Sequence, residues 1–245
     1  MNNYRLLALD LDGTVLNDDK QISRANKRAI KQAAEAGITV MFTTGRGMQR
    51  VAHLQAEAGL EGPMVLTNGA EVWQDKEVLL ARNFIRQADI IFLHDAAQAA
   101  GARFWGYSVE SFTKDSEWTA AMFYRSWLKF GIRHHDPKII ARIREQIGSL
   151  HHIEITSSAP TNLEISLRGI TKRYGVEKIC RRFGYEMKEV MAIGDNLNDF
   201  SLIQSAGAGI AMGNADVKLK EIADAVTDTN NKAGVAKAID KYLLR

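Results

Sequence analysis

Two carboxylates, Asp10 and Asp12, stand one residue apart at the end of a short apolar run and just before Gly13. Acids so placed repel each other and call for a cation or a shared proton. An Asp-Gly pair alone is also common turn chemistry. A calcium loop fits less well, because its glycine belongs at loop position six and Gly13 comes earlier. Two further strand ends carry polar groups: Thr43-Thr44-Gly45-Arg46, and Gly194-Asp195-Asn196-Leu197-Asn198-Asp199. In a parallel sheet these ends share one edge, where open α/β sheets bind ligands. Asp10, Asp12, Asp195 and Asp199 would then face one crevice with the Thr44 hydroxyl, the Asn198 amide and the Gly45 N–H. A hard cation with oxygen ligands relieves that repulsion, and Mg²⁺ keeps coordination places for phosphate. Thr44 and Gly45, near a helix N-terminus, suit phosphate oxygens.

The elements that must position these groups follow from periodicity. Leu6–Leu9, Ile38–Phe42, Met64–Leu66 and Val190–Ile193 are short bounded apolar runs, read as buried parallel strands. Between the first two, Ser23 is an N-cap, Ile30, Ala33 and Ala34 form an apolar helix face, and Gly37 closes it. A second helix has Val51, Leu54 and Ala58 inward and Gly59 as its stop. This β-α-β-α-β rhythm argues for a doubly wound sheet. Residues 71–79 read as a hairpin around Gln74-Asp75-Lys76. The rhythm then lapses. Residues 83–168 carry a helix over 88–99, an aromatic strand over 104–109, and a helix capped by Asp136-Pro137 with Ile139, Ile140, Ile143 and Ile147 on its face. Two alternating stretches, 152–156 and 163–167, read as antiparallel strands with one wet face. The α/β rhythm returns at Lys172 with a basic amphipathic helix, and a last helix covers 235–244. The expected fold is an α/β, Rossmann-like, doubly wound and mostly parallel core, residues 1–82 and 169–245, interrupted by an α+β cap domain, residues 83–168.

Composition narrows the function classes. The 245 residues are 46% hydrophobic and 25% charged, an ordinary globular balance, with a formal charge of +3. That charge is too small to argue for nucleic acid. The single cysteine, Cys180, excludes an internal disulfide and fits a reducing compartment. Met1-Asn2-Asn3-Tyr4-Arg5 runs straight into the first strand, and no apolar run reaches membrane-spanning length, so a cytoplasmic location is expected. Gly207, Gly209 and Gly213 miss the dinucleotide spacing by one, and no nucleotide-binding P-loop is present. His134-His135 and His151-His152 read as surface histidines. Trp105, Tyr107, Trp118, Phe123, Tyr124 and Trp127 read as cap core. The run Lys172, Arg173, Lys178, Arg181, Arg182 reads as a solvated helix face.

Asp10-Leu11-Asp12-Gly13-Thr14 is similar to the first motif of the haloacid dehalogenase superfamily of phosphatases. Thr43-Thr44-Gly45-Arg46 resembles the second motif of its Cof-type subgroup. Lys172 sits where the third-motif lysine belongs, with Arg173 where that group usually has glycine. Gly194 to Asp199 looks like the fourth motif. Residues 211–215 and 231–236 also look like this subgroup, and residues 83–168 hold the position of a type-two cap. The resemblance implies that Asp10 is a nucleophile forming an aspartyl-phosphate and Asp12 a general acid and base. It implies Mg²⁺ on Asp10, Asp195 and the backbone carbonyl of Asp12. Leu11, Thr44, Gly45, Lys172 and Asn198 would bind phosphoryl oxygens, with Asp199 orienting Lys172. The expected partner is a small-molecule phosphate ester, neither nucleic acid nor membrane, and the oligomeric state is open. Two other functions fit the same residues: a sugar phosphomutase, and a non-catalytic phosphate-sensing protein.

Overall fold

The computed structural model describes residues 4–157 and 159–244. Residues 1–3, Ser158 and Arg245 lie outside the described residues, and with them the start of the chain and one residue of the connection between the two alternating stretches. The chain divides into two compact units, Met1–Ala81 with Thr171–Arg245, and Arg82–Ile170.

In the first unit the elements run β1 (Leu6–Leu9), α1 (Arg24–Glu35), β2 (Thr39–Thr43), α2 (Ala52–Glu57), β3 (Met64–Leu66), β4 (Glu71–Trp73) and β5 (Leu79–Arg82). The second unit follows with α3 (Gln87–Ala99), β6 (Arg103–Ser108), β7 (Phe112–Lys114), β8 (Trp127–Arg133), α4 (Pro137–Ile147), β9 (Ile153–Thr156) and β10 (Asn162–Leu167). The chain then resumes the first unit with α5 (Lys172–Phe183), β11 (Val190–Gly194), α6 (Phe200–Ser205), β12 (Ala208–Ala211), α7 (Val217–Ile222), β13 (Ala225–Val226) and α8 (Gly234–Tyr242).

The first unit is an eight-stranded sheet in the order β13-β12-β11-β1-β2-β3-β4-β5. Every pairing from β13 through β3 is parallel, and β4 joins β3 antiparallel. The 71–79 hairpin therefore extends the core sheet. β1 and β11 are adjacent, Leu6 to Leu9 against Val190 to Ile193, so their carboxyl ends fall side by side. Both strands are buried along their whole length, the pattern of a parallel sheet covered on both faces. In α1 the Ser23 cap is present, accepting from the Asn26 N–H, but Ala34 faces solvent. The inward face is Asn26, Ala29, Ile30 and Ala33. Asn26 tolerates burial because its amide donates to the Val15 carbonyl and accepts from the Ala236 N–H, tying α1 to α8.

The second unit is a five-stranded antiparallel sheet, β7-β6-β8-β10-β9, packed through Phe104, Phe130, Ile132, Leu163 and Ile165 with Ile90, Leu93, Ile140 and Ile143 of α3 and α4. Its central strand β8 does not read as a strand from the sequence. Lys129 and Gly131 interrupt the apolar run, yet Lys129 is buried because it pairs with Glu164 on β10. Two expectations need correcting here. Tyr124 is 83% exposed and is no part of the core. His152 is not a free surface histidine, since its Nε2 lies 3.0 Å from Oδ1 of the buried Asp89. Among the described residues no helix is long and apolar enough to cross a membrane.

Candidate active site

β1 ends at Leu9, and the next residue, Asp10, is buried at the carboxyl edge of the sheet. Lys172, the first residue of α5, reaches the same point. The Thr171 hydroxyl accepts from the Tyr174 N–H and starts the helix there. The Lys172 ammonium donates to Asp10 Oδ1 at 2.6 Å and to Asp199 Oδ1 at 2.5 Å, and all three side chains are buried. Burial opposes a charge on Lys172, but the two carboxylates outweigh it and hold the ammonium protonated. Arg173 points away into solvent and pairs with Glu177, so the departure from the subgroup's glycine leaves the site untouched.

Asp199 is fully engaged. Its second oxygen accepts from the backbone N–H groups of Asp195 and Asn196 at 3.1 and 3.2 Å, closing the loop after β11. That loop aims Asp195 back at β1, where Thr14 Oγ1 donates to Asp195 Oδ1 at 3.0 Å. Gly13 is required on two counts: its φ is +79°, and a Cβ would collide with the Asp195 carboxylate. Asp10, Asp195 and Asp199 each offer an oxygen within 4.8 Å of the others. Three carboxylates against one ammonium leave two negative charges uncompensated. Burial, reinforced by Asp199, pushes the Asp195 carboxyl up to about 6, and burial likewise raises Asp10, against the pull of Lys172. An all-oxygen donor set short of two positive charges is what a hard divalent cation fits.

Asp12 is held by a different set of partners from Asp10. The alternation of a strand stops with β1, and the Asp12 side chain is 44% exposed. It is gripped by Arg46, Nε to Oδ2 and Nη2 to Oδ1 both at 2.7 Å, with Lys20 Nζ at 3.2 Å. Burial works to raise its carboxyl, but Arg46 and Lys20 together hold it below the ordinary value. Leu11 is buried, and its carbonyl accepts from the N–H groups of Thr14 and Leu16, which turns the chain out of the strand. Thr44 is buried at the end of β2. Its N–H donates to the Val65 carbonyl, and its hydroxyl accepts from the Arg46 N–H at 3.2 Å. Gly45 lies between them. The Asn198 amide donates to Asn68 Oδ1 at 3.2 Å, and its own oxygen is buried without a hydrogen-bond partner. Arg46, Thr14 and Asn68 are not among the site residues expected from the sequence. Each has a sequence signal, lying inside or beside a strand-end motif.

Comparison with known proteins agrees with this geometry. The family model of the haloacid dehalogenase-like hydrolases matches residues 7–134 and 124–239. The chain is 37% identical over 242 residues to the 5-amino-6-(5-phospho-D-ribitylamino)uracil phosphatase YcsE of Bacillus subtilis (strain 168), covering 99% of this chain and 97% of that protein. It is 25% identical over 270 residues to the pyridoxal phosphate phosphatase YbhA of Escherichia coli (strain K12), covering 98% and 99%. A haloacid dehalogenase-like hydrolase structure from B. subtilis superposes with a TM-score of 0.89 at 24% identity, over 98% of this chain and all of the other. The chain belongs to the haloacid dehalogenase-like hydrolases. Within them it falls among the Cof-type phosphatases, which act on small phosphorylated substrates.

Proposed function

We propose that the protein is a Mg²⁺-dependent phosphatase that hydrolyses small phosphate monoesters through an aspartyl-phosphate on Asp10. The observation that carries this reading is the buried cluster in which Lys172 joins Asp10 to Asp199 while Asp195 stands within reach of both. Positioning and charge neutralisation are what phosphoryl transfer demands. Mg²⁺ would be held by the carboxylates of Asp10 and Asp195 and the backbone carbonyl of Asp12, and would supply the missing positive charge. Lys172, the Thr44 hydroxyl, the Leu11 and Gly45 N–H groups and the Asn198 amide hold the phosphoryl oxygens. Asp199 keeps Lys172 in place.

Asp10 attacks phosphorus and the phosphorus–oxygen bond to the leaving group breaks, the leaving oxygen taking a proton from Asp12. Asp12 then takes a proton from water as that water displaces Asp10 from phosphorus. Asp12 must leave the Arg46 fork to do this, because the fork favours the ionised carboxylate. The inserted unit, residues 83–168, acts as a cap whose contacts to the leaving group set specificity. The named substrates of the two relatives are phosphate esters attached to heterocycles, and sugar phosphates or such compounds are the class proposed here. A cytoplasmic location accords with the lone, buried Cys180.

The test is release of phosphate from p-nitrophenyl phosphate. Turnover should require Mg²⁺, stop in excess chelator and return with the metal. Asp10→Asn should abolish it with the fold intact. Full activity in chelator would rule out the metal, and more than a few per cent of native turnover in the variant would move the nucleophile elsewhere.

A further inference from the structure

Among the described residues, the turn after β3 is where three successive residues take positive φ. Thr67, Asn68 and Gly69 have φ of 49°, 57° and 107° in succession. A β-branched residue at positive φ is a genuine outlier, and such conformations persist where the surroundings over-determine them. The Thr67 hydroxyl is buried without a hydrogen-bond partner among the described residues. What holds the turn is the active-site edge itself. The Thr67 N–H donates to the Arg46 carbonyl at 3.0 Å, and the Asn68 N–H donates to the Thr44 carbonyl at 2.9 Å. Gly69 packs so tightly against the Thr171 carbonyl that a Cβ there would collide with it. Thr171 caps the helix that begins with Lys172. The Asn68 side chain, itself buried, accepts from Asn198 Nδ2. One strained turn thus touches the segments carrying Thr44, Lys172 and Asn198.

We infer that Asn68 is a positioning residue for phosphate binding, acting through Asn198; this rests on the proposed role of Asn198 in holding a phosphoryl oxygen. Among the described residues the hydrogen bond to Asn68 is the one partner of the Asn198 side chain. It fixes the amide plane. One N–H is committed to Asn68, and the other is left for the phosphoryl oxygen. The strain is the cost of bringing Asn68 Oδ1 to that place. Asparagine, like aspartate, combines a short acceptor with tolerance of the left-handed region, and it adds no charge to the crowded carboxylates.

The test is a double-mutant cycle read as competitive inhibition of p-nitrophenyl phosphate turnover by inorganic phosphate. Asn68→Gly removes the acceptor while keeping a residue that accepts the left-handed backbone, so the fold should be retained with the melting temperature lowered by no more than a few degrees. Its inhibition constant for phosphate should rise about threefold to tenfold, the worth of one hydrogen bond. In an Asn198→Ala background the same change should do nothing further. A native inhibition constant in Asn68→Gly overturns the inference, and so does an equal loss in both backgrounds. A native constant in Asn198→Ala alone overturns instead the role of Asn198, and the inference with it. If glycine loosens the turn, Asn68→Ser, too short to reach Asn198, replaces it in the same cycle. Loss of the melting transition in step with affinity, independent of Asn198, would mean a purely structural residue.

Discussion

Replacing Asp195 with asparagine should stabilise the metal-free protein while removing its response to Mg²⁺. The carboxyl of Asp195 is lifted from 3.8 to about 6 by burial and by Asp199. At about 1.36 kcal/mol per unit, keeping it ionised in the folded state costs about 3 kcal/mol at pH 7.5. The substituted amide would be neutral, of the same shape as the carboxylate, and still able to accept from the Thr14 hydroxyl. The melting temperature in chelator should rise by about 6–12 °C, at 2–4 °C per kcal/mol for a chain of this size. The pH dependence has a definite sign. A carboxyl raised on folding destabilises the folded state above its folded pKa, and the penalty fades as pH falls through about 6 toward 3.8. The gap between variant and native should therefore be full at pH 7.5 and close by pH 4. The assay is thermal unfolding followed by circular dichroism across that range, with and without Mg²⁺. In Mg²⁺ the native protein should gain stability and the variant should not. A variant no more stable than native in chelator at pH 7.5, or a gap that widens in acid, would refute the account of the crowded carboxylates.

Lys172→Met leaves Asp10 and Asp199 buried without their cation and should cost about 3–5 kcal/mol, read from urea unfolding in chelator. Asp12→Asn should lose about 10²–10⁴-fold in kcat, with a greater loss for a sugar-alkoxide leaving group than for nitrophenolate; equal losses would contradict a general acid. Exchanging residues 83–168 for the corresponding unit of a related phosphatase should reorder kcat/KM across sugar phosphates, nucleotides and cofactor phosphates while Asp10 stays essential. An unchanged ranking would place specificity elsewhere. Incubation with sugar phosphates should yield free phosphate; isomerised sugar phosphate instead would identify a phosphomutase.

The sequence by itself determined the parallel core and the strand ends that carry polar groups. Apolar runs such as Leu6–Leu9 and Val190–Ile193 need both faces buried, and that demand is local and periodic, so it can be read without the fold. Glycines at fixed positions, Gly13 above all, likewise declare a turn. Nothing local, however, says that Lys172 must be buried. On α5 it reads as one more charge of a basic face, and it becomes a buried cation where Asp10 and Asp199 arrive from the segments that follow β1 and β11. The same holds for β8, where Lys129 breaks the apolar run until Glu164 is brought beside it from β10. Asp12 shows the converse. Two residues from Asp10, it reads as that residue's neighbour at a strand end, but β1 stops at Leu9 and the partner of its carboxylate, Arg46, lies 34 positions away, where no local pattern announces it. Asn68 is visible in the sequence only as part of a strand-end turn, and its left-handed backbone and its partner Asn198 exist only in the folded sheet. Burial patterns and turn residues are properties of a segment, whereas the partner of a charge and the strain of a turn are set by segments distant in sequence, and those only tertiary structure could decide.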